Sequence, residues 1–194
     1  MVRSILIFTA LTGALASPAL AHTGAGSAAS FTAGVAHPFG GFDHLTVMVL
    51  VGLWAALRGG AALWLWPTVF VSVMLIGGAL GMTHIAIPFV EPGILASIVA
   101  LGLMVALSVD LPVAVGATIL GAFALLHGHA HGAEAAAPLN GLEYMAGFAL
   151  ATAALHAVGV GCALVLQRTA WRPAIRLAGA ACVVFGVGLF GGVL

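Results

Sequence analysis

The sequence predicts an all-α polytopic membrane protein with six transmembrane helices after an N-terminal signal peptide, and three observations lead to this class. Of the 194 residues, 63% are hydrophobic and only 5% are charged, whereas about 25% are charged in an ordinary soluble domain. The mean hydropathy is +1.25. The apolar residues form six runs, each near the roughly 20 residues that a helix needs to cross a bilayer. No soluble fold of this length can bury so much apolar surface, so lipid must cover it.

The first 21 residues have the pattern of a secretory signal peptide. Arg3 supplies the positive start, the apolar stretch ILIFTALTGALA follows, and residues 19–21 (ALA) have the small-x-small pattern of a cleavage site. An uncleaved first span is the alternative, but the apolar stretch is short for a span and Pro18 follows it. We therefore expect residues 22–36 to form a periplasmic tail, with His22 as a free N-terminal residue that could chelate a metal ion.

The six runs that follow are separated by short links rich in glycine and proline. They cover about 38–57, 62–83, 93–109, 112–129, 141–167 and 172–193. Gly59 and Gly60 form the first link, and Pro112 begins the fourth run, where its missing N–H costs no helical hydrogen bond. We therefore assign residues 37–194 to a single six-helix transmembrane domain.

The arginines predict how the helices are oriented. If the chain enters the first run from the periplasm, the first, third and fifth links face the cytoplasm. The four arginines after the signal peptide then all lie on the cytoplasmic side, as the positive-inside rule requires; they are Arg58, Arg168, Arg172 and Arg176. In this orientation both the mature N-terminus and the C-terminus lie in the periplasm.

Histidines and carboxylates collect at the opposite, periplasmic ends of the runs. The octet HPFGGFDH, residues 37–44, places His37, Asp43 and His44 at the mouth of the first run, and Glu91 lies in the second link. The octet HGHAHGAE, residues 127–134, adds three histidines and Glu134. Imidazoles suit nickel, cobalt, copper and zinc, and carboxylates compensate the ionic charge. The pattern predicts ligands that replace hydration water as a divalent cation enters the membrane.

Spacing separates the stronger candidates from the weaker ones. His127 and His131 are four residues apart and share one helical face, where two imidazoles can hold one ion. Between His37 and His44, Pro38 and two glycines predict a broken helix. Hydrogen-bonded helix caps and a solvated histidine loop are the structural alternatives for these two octets. Weaker candidates, for which an interfacial or packing role is the alternative, are His22, Met48, His84, His129, Glu143 and His156.

His156 and the tryptophans raise separate questions. His156 lies about 15 residues into the fifth run, roughly 22 Å deep at 1.5 Å per residue. It is a deep ligand, a proton carrier, or a neutral histidine bonded to a neighbouring helix. The four tryptophans lie at the cytoplasmic ends of runs, where we expect them to be interfacial anchors; they are Trp54, Trp64, Trp66 and Trp171.

These motifs resemble those of a known family. GVAHPFGGFDHLTVMVLVGLW resembles the HPxxGxDHxxxM signature of the HupE/UreJ family, and HGHAHGAE is similar to its HGxAHGxE motif. PFVE at residues 88–91 and ATAALHAVG at residues 151–159 resemble its P-x-x-E and T-x-x-x-H-x-x-G elements. Thr46 and Val47 replace the more usual Leu-Ala, a conservative departure.

The resemblance implies a permease of the bacterial inner membrane that takes up Ni²⁺, or Co²⁺ in some members, for hydrogenase or urease maturation. Cytoplasmic metallochaperones of those enzymes are the partners it implies, besides the lipid bilayer. The metal ion is cargo, and no prosthetic group is expected. The functional positions it implies are His37, Asp43, His44, Glu91, His131 and Glu134.

Other classes of function fit the sequence less well. An intramembrane histidine-ligated metalloenzyme is one alternative, but the chain has no HExxH motif, and we do not expect an enzyme. A metal sensor or delivery protein without flux is another. The net charge is zero and there is no lysine, so nothing indicates nucleic-acid binding. Transport could be driven by the membrane potential or by protons moving through His156 or Glu143.

Overall fold

The computed structural model of the chain describes residues 30–134, 138–169 and 171–192, and all regular structure within these ranges is helical. The proposed signal peptide and His22 lie outside the described residues. The α-helices are α1 Phe31–Ala36, α2 Phe42–Arg58, α3 Ala62–Met82, α4 Val90–Ala106, α5 Val113–Glu134, α6 Pro138–Gln167 and α7 Arg172–Phe190. A short 3-10 helix, His37–Phe39, lies between α1 and α2.

Several of these helices are long and apolar enough to cross a membrane. Within the described residues there are four, namely α3, α5, α6 from Gly141 onwards, and α7. The segment from α1 to the end of α2 makes a fifth if it is counted as one span bent by 84°. Helix α4 is apolar but has only 17 residues, a length of about 25 Å. The predicted all-helical membrane class is therefore confirmed, with four or five candidate spans.

The bend before α2 is the break that the sequence predicts. The chain turns at Gly40 and Gly41, and α2 begins at Phe42. Residues 31–36, which the sequence assigns to the tail, form α1 and pack against α6. There the backbone of Gly34 lies against the carbonyl of Tyr144. The bend therefore turns the chain from α1, packed beside the start of α6, into the apolar length of α2.

Close contacts between backbones pair the longer helices. Helices α3 and α5 run parallel, because Gly77 faces the carbonyl of Leu125 and Gly81 faces that of His129. Helices α4 and α7 run antiparallel, with Arg176 donating from Nε to the carbonyl of Ala106 at 2.8 Å. In lipid there is little hydrophobic drive between helices, so association depends on close van der Waals packing, for which small residues are needed.

The parallel pair of α2 and α6 is built in the same way. A Cβ added to Gly52 would overlap the carbonyl of His156, and one added to Gly159 would overlap the carbonyl of Val49. These glycines let the two backbones touch without an intervening side chain. The contact fixes the depth of His156 relative to α2.

Two buried tryptophans and an arginine hold the link between α4 and α5. The indole of Trp54 donates to the carbonyl of Val109, and that of Trp66 donates to the carbonyl of Val113, each at 2.9 Å. Arg58 donates from Nε to the carbonyl of Leu111 at 2.9 Å. All of these groups lie at the end of the bundle where the described arginines collect, which we call the arginine end. The opposite end, where α2 begins and α5 ends, is the histidine end.

The predicted role of two tryptophans as interfacial anchors is wrong. Trp54 and Trp66 are fully buried, with their rings 4.4 Å apart. The carbonyls of Val109 and Val113 satisfy their indole N–H groups, so both rings can be buried in the protein core instead of facing lipid. Trp64 and Trp171 are exposed.

We predict that Gly128→Ala destabilises the protein, whereas Gly121→Ala on the same helix does not. A Cβ at Gly128 would overlap the carbonyl of Met74, and overpacking of this kind costs about 1–3 kcal/mol. A Cβ at Gly121 meets only the side chains of Val69 and Val73, at 3.7 and 3.8 Å. Thermal unfolding of the purified protein in detergent measures both changes. Equal unfolding temperatures for the two variants would refute the close approach of α3 and α5.

Candidate metal site

Three side chains from two separate elements converge at the histidine end. His37, His131 and Glu134 each offer one ligand atom, and these atoms all lie within 4.8 Å of one another. Glu134 Oε2 is 3.7 Å from His37 Nε2 and 3.6 Å from His131 Nδ1. Donors bound about 2.1 Å from a common metal ion lie about 3–4 Å apart. Small side-chain movements would therefore let these three groups hold one cation.

The bend before α2 and the end of α5 create this convergence. His37 is the first residue of the 3-10 helix, and His131 lies in the last turn of α5. Their ring centroids are 4.5 Å apart. Had residues 31–58 formed one straight helix, the chain could not have turned to pass beside α5 at this point. The predicted break is thus the local feature that gives His37 its place.

Two further imidazoles extend the site into the membrane bundle. The His44 ring lies 4.4 Å from that of His131 and 5.3 Å from that of His127. We call the four rings of His37, His131, His44 and His127 the imidazole row. The His37 side chain is 26% exposed, that of His44 is 14% exposed, and His131 and His127 are almost wholly buried. The row therefore leads from an accessible group to a fully enclosed one.

Hydrogen bonds determine which nitrogen each ring offers. His44 donates from Nδ1 to Asp43 Oδ1 at 2.9 Å, and His127 donates from Nδ1 to the carbonyl of Phe123 at 2.9 Å. In each neutral ring the lone pair is then on Nε2, and neither Nε2 has a partner among the described residues. Burial of such an acceptor is costly unless something binds it. A metal ion is a suitable partner for an imidazole lone pair.

Asp43 acts here through His44. Its Oδ1 accepts both the ring N–H and the backbone N–H of His44, each at 2.9 Å. A carboxylate in this position holds the tautomer and the angle of a ligating imidazole and raises its basicity. Asp43, a candidate ligand in the sequence, therefore lies in the candidate metal site and contacts His44.

Other predicted ligands are not among the four rings of the row. His129 is nearly buried, but it donates from Nε2 to the carbonyl of Ile85 at 2.6 Å. Glu91 is exposed in the first turn of α4, and within the described ranges it forms no ion pair with the row. His84 and Glu143 are exposed, and Met48 is fully buried in the apolar core.

Aromatic residues that sequence reasoning missed line one side of the row. The Phe148 ring lies 4.3 Å from that of His131, and the Tyr144 ring lies 5.7 Å from that of His37. Both precede Thr152 and His156 on α6 at intervals of four residues, so all four share one helical face. Extending that spacing backward from His156 would have found them.

Phe70 of α3 lies between the row and His156. Its ring is 5.8 Å from that of His127 and 5.2 Å from that of His156. Phe70 and His156 are both almost completely buried. Beyond the row, the next imidazole toward the arginine end is therefore separated from it by one aromatic ring.

The comparison with known proteins agrees with the motifs in this site. A family profile described as HupE / UreJ protein matches residues 9–189. The chain belongs to the HupE/UreJ family. Protein HupE from Rhizobium leguminosarum bv. viciae is 44% identical over 185 residues, which cover 95% of this chain and 97% of that protein. No solved structure matches the chain. The resemblance to HupE/UreJ proteins is thus confirmed, and the matched range contains every residue of the imidazole row.

We predict that His131→Gln weakens Co²⁺ binding by more than about 100-fold, because it removes a buried donor from the centre of the row. Losing a group that only orients a metal ligand already lowers metal affinity by about 10–100-fold, and the loss of a ligand itself should cost more. His84→Gln, which changes an exposed histidine outside the row, should leave binding unchanged. Titration calorimetry on the purified protein in detergent measures both. A similar loss in the two variants would contradict the assignment of the row.

We predict that Asp43→Asn weakens Co²⁺ binding by about 10–100-fold, the usual effect of losing a group that orients a ligand. Asp110→Asn is the matched control, since Asp110 is 78% exposed and pairs with Arg58 at the arginine end. The same titration should show wild-type affinity for that variant. If Asp43→Asn binds Co²⁺ as tightly as Asp110→Asn, then Asp43 does not position His44.

Proposed function

We propose that this protein is a permease that takes up Ni²⁺, with Co²⁺ as an alternative cargo, from the periplasm to the cytoplasm. Family membership supports uptake of these metals for hydrogenase or urease maturation. The observation that carries the proposal is the imidazole row, which leads from the partly exposed His37 to the buried His127 within a bundle of apolar helices. A resident structural site would not need donors at successive depths.

The proposed topology has six spans, formed by α2 to α7. Helix α4 is near the lower limit of about 17 residues for a span, and a short span is accommodated by local thinning of the bilayer. The histidine end faces the periplasm and the arginine end the cytoplasm, in accord with the positive-inside rule. Both the mature N-terminus, after cleavage of the signal peptide, and the C-terminus are then periplasmic.

The donors suit the proposed cargo. Imidazoles and carboxylates bind nickel and cobalt well, whereas Mg²⁺ and Ca²⁺ prefer sites made of oxygen alone. Glu134 is 50% exposed and attracts the hydrated dication, and His37 and His131 then replace part of its water. The four described arginines lie at the other end of the bundle, so none repels the ion at its entrance.

The membrane potential is sufficient to drive this uptake. Inward movement of a dication gains about 4.6 kcal/mol per 100 mV. In the proposed mechanism the ion therefore moves down its electrochemical gradient by exchanging neutral imidazole ligands. Release at the arginine end would deliver it to cytoplasmic metallochaperones of hydrogenase or urease.

We predict that Ni²⁺ enters sealed proteoliposomes when a potential, negative inside, is imposed across the membrane, and that uptake rises with the potential. His131→Gln should abolish the flux, and empty liposomes measure the leak. Flux that follows an imposed pH gradient instead would indicate proton coupling through His156 or Glu143. Binding without flux would favour a sensor or delivery protein, and metal retained through purification would favour an enzyme.

A further inference from the structure

A cavity lies between α3 and α6, beyond the imidazole row on the side of the arginine end, and it is open on the outer surface of the helix pair, where Thr68 and Ser72 are exposed. Its volume is about 500 Å³. The residues lining it include Pro67, Thr68 and Ser72 of α3, and Ala153, His156 and Ala157 of α6. Most of this lining is apolar, but two hydroxyls and one imidazole contribute to it. The buried imidazole of His156 is costly in an apolar helix pair within lipid, and such a group indicates a functional site.

His156 is the buried polar group of this cavity. Its side chain is almost wholly enclosed, and neither ring nitrogen has a hydrogen-bond partner among the described residues. His127 differs, because the carbonyl of Phe123 accepts its Nδ1–H. The backbone contact of α6 with Gly52 fixes the position of His156. His156 lines the buried side of the cavity with a lone pair that has no partner among the described residues, so a small side-chain movement would let it bind an ion that enters the cavity.

The hydroxyls provide oxygen donors on the facing helix. Thr68 donates its hydroxyl hydrogen to the carbonyl of Trp64 at 2.7 Å, so its oxygen lone pairs remain available. Ser72 is one turn further along α3 and lines the same cavity. These groups and the imidazole are all uncharged donors, and no carboxylate is among the described residues that line the cavity. Such a donor set can replace water around a dication without holding it by ionic attraction.

We propose that His156, with the hydroxyl oxygens of Thr68 and Ser72, forms a second and weaker station for the transported divalent cation. This inference rests on the proposed function, because it assigns the next binding step of the same ion. The ion reaches His156 from His127 past the ring of Phe70, whose centroid is 5.8 Å from the His127 ring and 5.2 Å from that of His156. The cavity has room for water that remains on the ion.

The order of strong and weak donors agrees with transport. The row has Glu134 at its entrance and Asp43 behind His44, whereas the donors among the described lining of the cavity are all neutral. Conduction requires sites that bind well enough for entry and weakly enough for exit. A neutral second station lets the ion leave toward the arginine end. A carboxylate in the station would hold the ion more tightly and slow its release.

The first test compares binding with flux for His156→Leu. The leucine keeps a similar side-chain volume but removes the donor nitrogens. We expect unchanged Co²⁺ binding at the row and at least a tenfold loss of Ni²⁺ uptake into proteoliposomes under an imposed potential. Uptake within twofold of the wild type would overturn the proposal. Loss of uptake together with loss of binding at the row would also overturn it, since His156 would then act by supporting the first site.

A second test does not depend on transport. In protein in which glutamine replaces His37, His44, His127 and His131, so that no imidazole of the row remains, we expect weak residual Co²⁺ binding by equilibrium dialysis, and we expect His156→Leu to remove it. No residual binding, or binding that survives His156→Leu, would refute the second station. If wild-type protein shows no flux, the proposed function fails, while this experiment still decides whether the cavity binds a cation.

The hydroxyls give a third variant, in case His156→Leu does not fold. Thr68→Val/Ser72→Ala should lower Ni²⁺ uptake several-fold without changing Co²⁺ binding at the row. Thr118→Val is the matched control, because Thr118 is also an exposed threonine whose hydroxyl bonds to the carbonyl four residues before it, at 3.0 Å, but on α5 outside the cavity. Equal uptake by the two variants would exclude the hydroxyls from the station.

Discussion

The contact of α3 and α5 through their glycines is the constraint on which the site depends. In lipid two apolar helices gain little by excluding solvent, so a specific arrangement requires backbones that approach closely. Gly128 and Gly132 lie against the carbonyls of Met74 and Gly78. Each of these glycines directly follows a histidine of HGHAHGAE, so the same contact sets the rotation of α5. His127 and His131 therefore face α2, while His129 faces the link after α3.

Burial of several neutral imidazoles opposes the stability of such a bundle. Each carries a polar nitrogen into a region where unpaired polar groups are costly. Asp43 and the carbonyl of Phe123 offset part of this cost by accepting one ring N–H each. The remaining lone pairs, including that of His131 Nδ1 or Nε2, have no partner among the described residues. The cost of burying such groups is offset when their free lone pairs bind a ligand.

The distribution of charge suits a moving cation. Carboxylates lie near the accessible start of the row, where Glu134 is half exposed, and arginines lie at the opposite end. Between them the donors are neutral. Arg58 pairs with Asp110 at 2.7 Å, beside the link that Trp54 and Trp66 hold. Hydrogen bonds and an ion pair therefore hold the arginine end together, whereas the histidine end has imidazole lone pairs without a partner among the described residues.

The sequence by itself determined the helical membrane class, the break near Gly40, the family, and the gathering of histidines at one end, because composition and local spacing encode all of these. The tertiary structure alone decided that His37 meets His131 and that Phe70 lies between the row and His156. It also decided that Glu91 stays outside the row. Those relations join helices distant in the chain. Their geometry is set by close packing between backbones, which the spacing within one helix does not specify.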